Sequence, residues 1–174
     1  MLALPVQDWM GLTCSLVVLQ LTLFCQRLDV INKCFSRQSV EEILSCLGQE
    51  VISRNEKWIT TAVKSIKTAS PISLKLFLLS IRKGRSEDLE QCLIQEYRMS
   101  SHVLRRTVSN DFYEGVRAKL LDKDNNPKWE PSRLELVSNE MLEKCLTKLD
   151  EDEAWEDLQL PSEHRHTNPR IAKL

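Results

Sequence analysis

At 174 residues the chain is long enough for one domain with a buried core and too short for two independent ones. Its 42% hydrophobic and 28% charged residues are those of an ordinary globular protein, and 24 basic against 25 acidic residues leave no general electrostatic footprint for nucleic acid or an anionic membrane. Cys14, Cys25, Cys34, Cys46, Cys92 and Cys145 form no Cys-x-x-Cys pair and no finger-like spacing, which argues against zinc and for reduced, intracellular thiols.

In chain order, residues 1–26 form an apolar N-terminal segment, within which Trp9 to Gln26 is uncharged over 18 residues, at the lower edge of a membrane span. Asp8 stands where a secretory leader has basic residues and no Ala-x-Ala follows, so a signal or anchor is disfavoured. From Arg27 onward the pattern is helical. Ser39-x-x-Glu42 is a capping box, followed by Val40, Ile43, Leu44, Leu47 and Val51 on one face. A second helix carries Trp58, Ile59, Ala62, Val63 and Ile66 and stops near Ser70, because the residue before Pro71 is pushed out of the helical region. Ile72 to Lys83 is apolar around most of its circumference, the mark of a helix buried in the domain or against a neighbour. Gly84 stops it, and Ser86, Glu87 and Asp88 start the next helix, with Leu89, Cys92, Leu93 and Tyr97 as its inner stripe. A further helix runs from about Asn110 to Asp122 with Phe112, Val116 and Leu120 on one face, and a last one carries Met141, Leu142, Cys145 and Leu149.

No segment alternates like a strand, so the expected class is all-α, with a helical region over 27–149 and an acidic, flexible tail over 150–174. His102, His164 and His166 make no ligand set, and no Ser or Cys is marked as a nucleophile. Glu96 and Glu114 read as structural partners, with Glu114 bracing its own helix start.

The stretch Glu96 to Pro131 combines an Glu-Tyr-Arg helix, an Asp-Phe-x-Glu-Gly-Val-Arg-Ala helix and an Asp-Lys-Asp-x-x-Pro-Lys-Trp-x-Pro exit. It resembles the C-terminal part of 3-hydroxyisobutyryl-CoA hydrolases, thioesterases of the crotonase (enoyl-CoA hydratase/isomerase) superfamily. Leu28 to Leu44 and Ser70 to Gly84 look like successive helices of the same enzymes, and the resemblance spans Arg27 to Leu160, leaving residues 1–26 unlike the family.

That resemblance implies the helical C-terminal region of a crotonase-type fold, without the βα spiral core. The implied reaction is hydrolysis of a short hydroxyacyl-CoA to acid and CoA in valine catabolism, with no metal or redox cofactor. Family catalysis uses an oxyanion hole of two backbone N–H groups and acidic side chains; no residue here matches those motifs, so the catalytic set is empty and the chain is expected to be inactive alone. Arg117, Lys123 and Lys128 are candidates for the phosphates of CoA, set against a solvated surface paired with Asp122 and Asp124. Trp129 reads as a packing anchor. Ala172-Lys173-Leu174 resembles a peroxisomal address, implying an import receptor as partner and a peroxisomal matrix location, with mitochondrial or cytosolic alternatives. The competing reading is a non-catalytic helical module that associates with full-length crotonase-fold subunits through its Ile72 to Ile81 surface.

Overall fold

The computed structural model describes residues 27–149 and 156–160. Within them every regular element is helical, and the chain divides at Ala69/Ser70 into two compact units where one domain is expected from length. The apolar Trp9 to Gln26 segment, Cys14, Cys25, His164, His166 and the Ala172-Lys173-Leu174 tripeptide lie outside the described residues.

The first unit holds α1 (27–35), α2 (Val40–Arg54) and α3 (Lys57–Thr68). Ser39 caps α2 by accepting the Glu42 N–H at 3.2 Å, while the Glu42 carboxylate reaches back to the Gln38 N–H at 2.8 Å, one residue earlier than a reciprocal box requires. The predicted inner face is the observed one: Val40, Ile43 and Leu47 are buried, with Leu44 and Val51 partly so. Cys46 and Glu50 extend it. Glu50 is only 4% exposed, yet it is paired with Lys33 of α1 at 2.6 Å and with Arg54 one turn on at 3.0 Å. Asn55 ends α2 in the left-handed region (φ 49°), a conformation asparagine tolerates, and its N–H bonds the Val51 carbonyl. In α3, Ile59 is fully buried and Trp58, Ala62, Val63 and Ile66 share its side, as their spacing predicts.

The second unit begins with α4 (Pro71–Lys83), where Pro71 sits in the first turn, whose N–H groups have no intrahelical acceptor in any case. It continues through α5 (Leu89–Leu104), α6 (Asp111–Val116), a π-helical turn (Arg117–Leu121), a 3-10 turn (Leu134–Leu136) and α7 (Asn139–Lys144). Its core is Ile72, Leu76, Met99, Val137, Leu142 and Cys145, with Leu79, Val103, Val108, Met141 and Leu146 against it. His102 is buried beside this cluster; its Nε2 donates to the Thr147 carbonyl at 3.0 Å, so Nδ1 accepts from the Thr107 hydroxyl at 3.1 Å.

Three expectations are narrowed or corrected here. Of the two readings of α4, burial in the domain or against a neighbour, the first holds for one face only: Ile72, Leu76 and Ser80 face the core, while Phe77 and Ile81 are 57% and 70% exposed. The α5 helix starts at Leu89, with Asp88 and Gln91 forming the capping box, and buries Met99 and His102 while Leu89 and Leu93 stand exposed. The core that α5 meets is built by α4, Val137 and α7, and Met99 in its C-terminal half enters it. The helix predicted over Asn110 to Asp122 changes to π geometry at Arg117, and its inner residues are Asp111 and Ala118, with Phe112 and Leu120 outside. Within the tail, Glu156 and Asp157 are tied to α5: Tyr97 donates its hydroxyl to the Glu156 carbonyl at 3.0 Å and Arg98 Nε donates to Asp157 at 2.9 Å.

Candidate functional site

The stretch that carries the resemblance folds around two carboxylates of α6. Asp111 is buried and uses both oxygens: Oδ2 accepts the Ser70 hydroxyl at 2.5 Å and Oδ1 accepts the Glu130 N–H at 2.9 Å. One side chain thereby joins the start of α4, the start of α6 and the end of the loop. One turn later, Glu114 Oε1 accepts the Lys128 N–H at 2.7 Å and Arg117 Nη2 at 2.8 Å, and Oε2 accepts Arg117 Nε at 2.9 Å. The spacing of three puts Glu114 and Arg117 on one helix face.

Arg117 is the hub. Its Nη1 donates to Asp122 at 2.6 Å and Asp124 at 2.8 Å, and its Nη2 also reaches the Asn126 carbonyl at 3.3 Å. With the two bonds to Glu114, all five guanidinium N–H groups have acceptors inside the chain. The π turn closes with the Asp122 N–H on the Arg117 carbonyl at 2.9 Å, one residue wider than an α turn, as Asp122 and Asp124 come round to the guanidinium. The Arg117 bonds, then the Lys128 N–H, hold the Glu114 carboxyl down at about 2. The Asn126 N–H and then Arg117 lower Asp124, and Glu114 first among three carboxylates holds Arg117 protonated.

Trp129 anchors the far side of the loop. A Cβ on Gly115 would come within 3.3 Å of its ring, so a larger residue there would push the ring back by a few tenths of an ångström. Lys119 fastens the loop again through Asn125 at 2.9 Å.

Of the three predicted cationic residues, Arg117 is thus an internal brace, with three carboxylates around one guanidinium. Lys123 and Lys128 are exposed on the loop this brace shapes. Lys123 sits in the left-handed region (φ 57°) with its carbonyl taken by the Asn125 amide, and Lys128 is linked to Arg117 through Glu114. The pairing of Arg117 with Glu114 was legible from spacing. The Asp111 bonds to Ser70 and Glu130, and the Arg98 pair with Asp157, 59 residues away, left no signal in sequence because their partners are distant in the chain.

Glu96 accepts the Ser80 hydroxyl at 2.6 Å, a structural role like that of Glu114. Among the described residues there is no group of three or more His, Cys, Asp or Glu suited to a metal, and no helix long and apolar enough to cross a membrane. A cleft of about 400 Å³ lies between Lys83, Glu87, Gln91, Ile94, Arg98 and Leu146, and its Arg98 is occupied by Asp157.

The family model for enoyl-CoA hydratase/isomerase matches residues 18–146. The chain belongs to the enoyl-CoA hydratase/isomerase family. The match begins inside the apolar N-terminal segment, upstream of Arg27. Among members of this family, the chain is 47% identical over 146 residues to a probable 3-hydroxyisobutyryl-CoA hydrolase 2 of Arabidopsis thaliana, covering 84% of this chain and 38% of that protein. It is 41% identical over 117 residues to the mitochondrial 3-hydroxyisobutyryl-CoA hydrolase of Homo sapiens, covering 67% of this chain and 28% of that one. A crystal structure of a carnitinyl-CoA dehydratase from Mycobacterium thermoresistibile matches with a TM-score of 0.62 and 31% identity, over 73% of this chain and 34% of that one. The chain therefore spans well under half the length of these relatives, and the resemblance to hydrolases of this family read from Glu96 to Pro131 is borne out.

Proposed function

We propose that this chain is the helical part of a thioester hydrolase acting on a short hydroxyacyl-CoA of the 3-hydroxyisobutyryl type, with a place in valine breakdown. The 47% identity over 146 residues to a protein named for that activity carries the reading. In it, Lys123 and Lys128 meet the phosphates at the nucleotide end of CoA as mobile point charges, and the Arg117 brace fixes the loop that presents them. Water is the co-substrate, and the reaction takes no metal or redox cofactor. Catalysis needs oxyanion donors and a general acid or base, and none of the family's motifs for these roles is matched in this sequence. The 174-residue chain by itself is therefore proposed to bind CoA without hydrolysing the thioester. The Ala172-Lys173-Leu174 motif favours the peroxisomal matrix, whereas the human relative is named mitochondrial.

The test pairs two readouts on the purified chain. Release of CoA from 3-hydroxyisobutyryl-CoA, followed with a thiol reagent, is expected to stay at the buffer rate. Turnover in the ordinary range of about 1–10³ s⁻¹ would overturn the inactivity. Binding of CoA is expected to weaken with added salt and in the Lys123→Ala/Lys128→Ala double variant. Unchanged binding in that variant would remove the two lysines from the site.

A second reading, a non-catalytic module docking on crotonase-fold subunits, is favoured by the outward Phe77 and Ile81 of α4, one turn apart on a single face.

A further inference from the structure

The first unit contains a feature that thioester hydrolysis does not use. Cys34, in the last turn of α1, and Cys46, in the middle of α2, are both buried free thiols, and their sulfurs are 3.0 Å apart. A disulfide bond is about 2 Å long, so joining them requires a movement of roughly 1 Å, within the reach of side-chain rotation. The neighbouring Lys33–Glu50 ion pair at 2.6 Å already pins the same turns of α1 and α2 together. It lies one residue from Cys34 and four from Cys46, and it keeps the two sulfurs facing one another.

The two thiols differ in surroundings. Cys46, 6% exposed, lines an open cleft of about 350 Å³ with Arg37, Glu42, Ser45 and Gln49. Cys34 lies fully inside and donates its S–H to Cys46. We infer that Cys34 and Cys46 are a redox pair that closes to a disulfide under hydrogen peroxide, with Cys46 oxidised first and Cys34 resolving it.

The chemistry balances in two steps. The Cys46 sulfur attacks one peroxide oxygen, the O–O bond breaks, and Cys46–SOH and water result. Cys34 then attacks the Cys46 sulfur, the S–O bond breaks, and the hydroxide leaves with the Cys34 proton as a second water. Each sulfur gives up one electron, and peroxide takes both. Burial, followed by the hydrogen bond to Cys46, pushes the Cys34 thiol up to about 12, which keeps it protonated while Cys46 is reduced. The bond closes the short connection between α1 and α2 and locks the two helices together.

The experiment treats the full 174-residue chain with hydrogen peroxide, blocks the remaining thiols with N-ethylmaleimide and digests with trypsin. Cleavage after Lys33, Arg37 and Arg54 puts the two cysteines on separate peptides, 34–37 and 38–54. The expected product is these two peptides as one linked species that dithiothreitol separates, with the oxidised chain melting at a higher temperature than the reduced one. In Cys34→Ser, dimedone is expected to capture a sulfenic acid on Cys46 and the melting shift to vanish. Full alkylation of both cysteines after peroxide, a link from Cys46 to another cysteine, or irreversible over-oxidation of Cys46 without a link would each overturn the inference. An equal peroxide-induced melting shift in a Cys34→Ser/Cys46→Ser double variant would do so as well.

Discussion

Glu114 shows how one carboxylate can organise a loop. It takes two bonds from Arg117 and one from the Lys128 N–H, and these hold its acidity at about 2, against an ordinary value of 4.5. A carboxylate depressed on folding contributes stability that is complete above its unfolded value and is lost as pH falls towards its folded one. The window therefore runs from about pH 4.5 down to about pH 2. Melting temperature followed from pH 6 to pH 2.5 is expected to fall across that window, and Glu114→Gln is expected to start lower and to fall less steeply. Identical slopes in the two proteins would assign the acid sensitivity elsewhere, to Asp124 and Asp157, whose carboxyls are lowered by their own partners. Arg117 stays charged throughout, because no proton leaves a guanidinium in this range.

At the scale of elements, helix identity was legible throughout and helix environment only in the first unit. The spacing of Val40, Ile43 and Leu47, or of Trp58, Ile59 and Ala62, located both the helices and their inner faces, because each face is satisfied by its immediate neighbours in the chain. The α5 and α6 segments failed that test. Their apolar residues Leu89, Leu93, Phe112 and Leu120 point outward, while the inner positions include the polar His102 and Asp111, which are held by bonds to residues far along the sequence. A hydrophobic pattern cannot announce a buried acid whose partners sit 19 and 41 residues away. Caps are local and were easier to see. Ser39 caps α2 through its hydroxyl, so Ser39→Ala is expected to cost about 1 kcal/mol, read as a lower urea midpoint with an unchanged slope. No change in midpoint would mean that the Glu42 bond to the Gln38 N–H suffices to start the helix.

For the molecule as a whole, resemblance carried more than periodicity did: it named the family, while the division at Ala69/Ser70 left no signal in the sequence. Phe77 and Ile81 are one turn apart on α4 and mostly exposed, a pairing that favours association in water. Replacing both with Glu is expected to raise the monomer fraction in gel filtration while leaving the helical circular dichroism intact. An unchanged elution profile would show that this face drives no self-association. The boundary between the units has its own demand. Ser70 accepts the Ser73 N–H to begin α4 and, through the same oxygen, gives its proton to Asp111. Ser, Thr, Asp and Asn ordinarily exchange at the head of a helix. Here the repertoire narrows: aspartate has no proton to give and would set a second negative charge against the first, so the commonest acidic replacement for a helix-starting serine is barred at position 70.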